Sequence, residues 1–110
     1  MEDLLRPIYQ ERASQANTLG ILLIEKRNPN SPNTDRFDAI LLMVVKESDS
    51  QVYIKHYDIG DKKAALYIVT EDKLKEWIQY STNRRIIDWI TNGKVLFDRN
   101  EYILNWKSEL

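Results

Sequence analysis

Apolar and polar positions recur along this chain with different periods, and each period predicts a different element. In "EDLLRPIYQERAS", Leu4, Leu5, Ile8 and Tyr9 fall at helical spacing, which predicts an opening helix with one apolar face. Its acids come first, at Glu2 and Asp3, opposite the positive end of the helix dipole. Pro7 lacks an N–H donor, so it kinks this helix or sits in its first turn. "LGILLIEK" is continuously apolar from Ile21 to Ile24 and predicts a strand. "RNPNSPNTD" is a loop by composition.

"FDAILLMVVK" shows no polar alternation. Both its faces should therefore be covered, as in a central strand between two layers. "VYIKHYDI" alternates in part, with Val52, Ile54 and His56 on one face and Tyr53, Lys55 and Tyr57 on the other. Turns at "ESDSQ" and "GDKK" bracket it, and "AALYIVT" is the next strand. Short links between three strands predict an antiparallel meander beside the central strand.

The second half carries helical periods. "TEDKLKEWIQY" places Thr70 as N-cap, Glu71 and Asp72 in the first turn, and Leu74, Trp77 and Ile78 inward. "STNRRIIDWITNG" repeats the plan, with Ser81 or Thr82 as cap, Ile86, Trp89 and Ile90 packing, and Gly93 as stop. "KVLFDR" is a short strand. "NEYILNWKSEL" is a last helix with Tyr102, Ile103 and Trp106 at helical spacing. It reaches the end of the sequence without a stop signal, so residues 1–110 are expected to be the amino-terminal part of a longer polypeptide. The pattern as a whole predicts an α/β domain of the α+β type, with a mixed, mostly antiparallel sheet of four to five strands packed by helices.

Composition narrows the function classes. A chain of 110 residues fits one domain. A net charge of -1 gives no support for a nucleic-acid or membrane-surface role. The absence of cysteine excludes disulfides, thiolate catalysis and thiolate zinc sites. No apolar run approaches the roughly 18 residues of a membrane span, and the start has no apolar signal-peptide core. A soluble, cytoplasmic domain is the expectation.

The candidate chemistry lies in a few residues. His56 is the single histidine and cannot form a two-histidine metal site; an edge-strand histidine with a hydrogen-bonded ring is the plainer reading. No glycine-rich phosphate loop and no nucleophile elbow is present. Arg84 and Arg85 flank a helix start, where they meet either a phosphate or solvent. Asp35 and Asp38 precede the central strand, and Asp58 ends a neighbouring one. Carboxylates so placed clamp divalent ions in two-metal phosphoryl transfer, or else form an acidic turn. Asp35 and Asp38 are three apart, so on a regular strand they point oppositely.

A resemblance adds to this reading. The leading helix, the strand at Leu19 to Glu25, the Asn/Pro loop running to "TDRFDAILLMVV", the "ALYIVTEDKLKEWI" strand and helix, and the closing "WITNGKVLFDRNEYI" resemble the nucleotidyltransferase fold of the polymerase-beta superfamily. More narrowly, they are similar to the amino-terminal domain of the bacterial nucleotidyltransferase-like proteins. The resemblance implies a nucleotidyltransferase-like fold, a largely helical region following in the same chain, and Mg2+ with an NTP if the site is active. Active members carry Gly-Ser after the first strand, where this chain has Glu25-Lys26. Their Asp-x-Asp falls on Arg36, Phe37 and Asp38, and their third carboxylate falls near Tyr67.

Three readings follow. One is a binding or regulatory module with a degenerate catalytic motif, its partner a nucleotide or another protein. Another is an active enzyme with a displaced site: Asp35 and Asp38 catalytic, Asp35, Asp38 and Asp58 on metal, and Lys26 and Arg84 on the nucleotide phosphates. The third is a structural or homo-oligomerising domain using an aromatic face of Trp77, Trp89 and Trp106.

Overall fold

The structure, a computed structural model, describes residues 2–25 and 37–110. Its elements run α1 (Glu2–Ala13), β1 (Thr18–Glu25), β2 (Ala39–Val45), β3 (Val52–Ile59), β4 (Lys62–Thr70), α2 (Glu71–Tyr80), α3 (Arg84–Asn92), β5 (Lys94–Asp98), a short 3-10 turn (Arg99–Glu101) and α4 (Tyr102–Glu109). The five strands form one sheet in the order β3-β4-β2-β1-β5.

The unbroken apolar run of β2 explains that order. Every residue from Ala39 to Val45 is buried, so β2 needs neighbours on both edges and layers on both faces. It takes β1 on one side, antiparallel, and β4 on the other, parallel. The expected meander is corrected here. β4 inserts between β2 and β3 and pairs antiparallel with β3, so β3 never touches β2. The reason is burial: β4 is covered on both faces beyond its first two residues, whereas β3 is mostly exposed and suits an edge. The two-residue link at Gly60 and Asp61 is tight enough to need a left-handed residue, and Gly60 supplies it at φ +63°.

Strand alternation divides the core into two. On one face Ile40, Leu42 and Val44 of β2 join Ala65 and Val69 of β4 and Leu22 and Ile24 of β1 under Leu74, Ile86, Trp89, Ile90 and Ile103 of α2, α3 and α4. On the other face Ala39, Leu41, Met43 and Val45 join Ala64, Leu66 and Ile68 against Leu5 of α1. In α1, Ile8 and Tyr9 pack as expected, but Leu4 turns outward and is 52% exposed. Pro7 lies inside the helix on its exposed side, where the carbonyl it leaves without an N–H partner can be solvated.

The caps follow local chemistry with one shift. Thr70 caps α2 as expected, its hydroxyl accepting from the Lys73 N–H at 3.3 Å. Neither Ser81 nor Thr82 caps α3. Asn83 does, accepting from the Ile86 N–H at 3.2 Å, while Ser81 ends α2 in a left-handed conformation. Gly93 ends α3, its N–H donating to the Trp89 carbonyl. Trp89 is fully buried, and Trp77 and Trp106 pack half-buried against the same core. The three tryptophans thus belong to the helical layer's inner side.

Candidate functional site

Asp38 stands one residue ahead of β2, beside the start of β4. Its N–H donates to the Lys63 carbonyl at 2.8 Å, and its carboxylate accepts from the Lys63 N–H at 2.8 Å. The side chain thereby extends the parallel ladder by one rung past Ala39, which pairs with Ala64. On the other edge of β4, Lys63 lies opposite Asp58 of β3. Asp38, Lys63 and Asp58 therefore form a row across three strands with the lysine in the middle. Two strand spacings separate the acids' backbones by about 10 Å.

The other candidates fall elsewhere. Asp35, Lys26 and Arg36 lie outside the described residues. Arg84 opens α3, which packs over β1, on the far side of β2 from Asp58. With Ser81, Ile87, Asp88, Thr91 and Asn92 it lines a shallow groove of about 410 Å3 along the outer face of α3. Neither Asp38 nor Asp58 reaches that groove. His56 is exposed on β3, its ring edge-on to Phe37 at 5.0 Å between centroids. Among the described residues, no group of three His, Cys, Asp or Glu side chains is gathered to hold a metal ion.

Tyr67 sits on β4 beside Leu42, on the helical side of the sheet. Its ring meets Trp89 edge-on, with centroids 5.0 Å apart and planes at 85°. An aromatic pair of this geometry contributes packing where a carboxylate would need water or a cation.

The Asp98-Arg99 pair, noted in sequence only as part of the closing segment, proves to be a clamp. Asp98 accepts from the N–H groups of Ile103 at 2.7 Å and Leu104 at 3.1 Å, capping α4. That cap offsets two successive left-handed residues, Asn100 at φ 53° and Glu101 at φ 61°. Arg99 donates to the carbonyls of Thr18 at 2.8 Å, Gln15 at 3.1 Å and Ala13 at 3.4 Å. It ties the end of α1 to the start of β1 and to β5. Only its bidentate-capable side chain hinted at this, since carbonyl acceptors leave no mark in a sequence.

The chain belongs to the nucleotidyltransferase-like family, whose model matches residues 1–110. It is 60% identical over 104 residues to the uncharacterized protein YgxA of Bacillus subtilis (strain 168), covering 94% of this chain and 35% of that protein. Its fold matches the crystal structure of a nucleotidyltransferase-like protein from Exiguobacterium sibiricum 255-15 with a TM-score of 0.90 at 35% identity, covering 99% of this chain and 38% of that one. The chain thus spans little more than a third of the length of these relatives.

Proposed function

We propose that this domain keeps the nucleotidyltransferase fold without the transfer reaction and serves as a nucleotide- or partner-binding, regulatory module. The observation that carries this reading is Tyr67, whose ring packs on Trp89 near the position where the family resemblance puts a third carboxylate. Asp38, the one matching acid, has a carboxylate oxygen committed to the Lys63 N–H. Arg36 stands at the first acid's position, and Glu25-Lys26 replaces the Gly-Ser that grips a triphosphate. Two divalent ions and a triphosphate need several fixed negative ligands, and one engaged carboxylate beside an arginine does not supply them. A fold persists after its site decays, because function lives in the site.

The test is incubation with Mg2+ and each of the four NTPs, read as pyrophosphate release and as label transfer to protein or nucleic-acid acceptors. The expected result is no transfer. Metal-dependent transfer that disappears in Asp38→Ala would overturn the proposal and favour a displaced site of Asp35, Asp38 and Asp58. Calorimetry with Mg-ATP and Mg-CTP separates the two kinds of module: heat at one-to-one stoichiometry marks nucleotide binding, and its absence points to a protein partner.

A further inference from the structure

The outer edge of the sheet carries apolar side chains on both of its faces. β3 pairs with β4 on one side, and among the described residues nothing pairs with the other. Near its start Tyr53 is 48% exposed and Ile54 is 43% exposed. The two are adjacent, so they point to opposite faces. Their neighbours confirm the alternation: Tyr57 packs with the core beside α1, while His56 touches Phe37 of the core under α2 to α4. A partner that docks on one face of the sheet covers Tyr53 or Ile54, never both. Only a strand added in the plane of the sheet covers both at once.

We infer that the occupant is β3 of a second copy of this chain, antiparallel, with the twofold axis at Ile54. Among registers that lay at least five residues of the regular strand against each other, the sequence of β3 selects this one; a twofold at Tyr53 would pair only Val52 to Ile54, because β3 begins at Val52. A twofold normal to the sheet pairs residues of like face. Centred on Lys55, it sets ammonium against ammonium, which is unfavourable. Centred on His56, it buries Ile54 against the carboxylate of Asp58. Centred on Tyr57, it leaves Tyr53 and Ile54 beyond the regular strand, opposite the Gly60-Asp61 turn. Centred on Ile54, it sets Ile54 on its twin, Val52 beside His56, and Tyr53 beside Lys55, with no like charges opposed. Lys55 already lies over the ring of Tyr57, its Nζ 5.2 Å from the centroid. In the dimer its cation gains a second ring, the partner's Tyr53, on the same face. Lysine on an edge strand ordinarily guards against pairing. In this register the guard becomes a contact.

The absence of cysteine makes a direct test possible. On the axis, Ile54→Cys brings two Cα atoms to about 4.5–5.5 Å, within disulfide range. His56→Cys leaves its twin four residues away along the strands, about 13 Å, beyond that range. Mild oxidation of the full chain is expected to give a covalent dimer for Ile54→Cys and none for His56→Cys. In sedimentation, the unmodified chain is expected to form dimers with rising concentration, and Leu104→Lys, on the exposed side of α4, to do the same. Ile54→Lys, which sets two ammonium groups face to face, is expected to raise the dimer midpoint at least about tenfold. Its circular dichroism should be unchanged, as Ile54 lies outside the core. A chain that stays monomeric at all concentrations, or crosslinking at position 56 and not 54, would overturn the proposal.

Discussion

The carboxylate of Asp38 and the backbone N–H of Lys63 are joined at 2.8 Å, and the reverse bond from the Asp38 N–H to the Lys63 carbonyl has the same length. The aspartate ahead of the apolar strand thereby joins the parallel pairing of β2 and β4. It starts that ladder in register, as a backbone residue of either strand would do deeper in the sheet.

Asp38→Ala is therefore expected to lose stability before it loses any chemistry. Removing an acceptor from a backbone N–H at this exposed end of the ladder costs about 0.5–1.5 kcal/mol, the net worth of one hydrogen bond. Asp38→Asn keeps a carbonyl acceptor and should lose less than about 1 kcal/mol. Urea unfolding of the three proteins measures both losses. Adding Mg2+ during thermal melts supplies the contrast: a ladder residue leaves the Tm shift equal in wild type and Asp38→Asn, whereas a metal ligand makes it larger in wild type.

Arg99 predicts a larger effect from a residue with no part in the catalytic pattern. Its guanidinium reaches the carbonyls of Thr18, Gln15 and Ala13, which a lysine ammonium cannot satisfy together. Arg99→Lys should lose about 1–2 kcal/mol and Arg99→Ala about 2–3 kcal/mol. Hydrogen exchange locates the damage. The last turn of α1 and the first residues of β1 should lose protection first, with β2 and β4 unaffected.

Tyr102 predicts an alkaline weakness. Its hydroxyl oxygen is buried and, among the described residues, has no hydrogen-bond partner. Burial pushes the phenol up to about 12 from its ordinary 10; the neighbouring Trp106 indole partly opposes the shift, and the Glu71 and Asp72 carboxylates add to it. The folded state thus holds the proton more tightly than the unfolded chain. The resulting stability is complete below pH 10 and is lost as pH rises through 12. In a spectrophotometric titration of the six tyrosines, one should ionise late or only with unfolding. Tyr102→Phe removes the unpartnered hydroxyl. It should match or exceed wild-type stability at pH 7, by up to about 1 kcal/mol, and lose less between pH 10 and 12.

Periodicity and capping chemistry by themselves determined most of the local structure. The run from Ala39 to Val45 announced a strand covered on both faces, and the spacing of Leu74, Ile86, Trp89 and Ile90 announced helices packed on one side of it. Thr70 and Gly93 marked their ends, because caps depend on the few residues around them. The sequence also carried the family resemblance that the matching family model bears out. Only the tertiary structure decided which strands are neighbours. Short links made a meander of β2, β3 and β4 look natural, but link length constrains reach, and burial chose β4 for the inner place. It likewise decided that Asn83, rather than Ser81 or Thr82, caps α3, since Ser81 was taken by the end of α2. The roles of Asp38 and Arg99 were invisible in sequence for a common reason. Both bind backbone groups brought near by folding, Lys63 from 25 positions away and Thr18 from 81. Backbone amides and carbonyls are the same at every residue, so nothing in a sequence says which of them a side chain will meet.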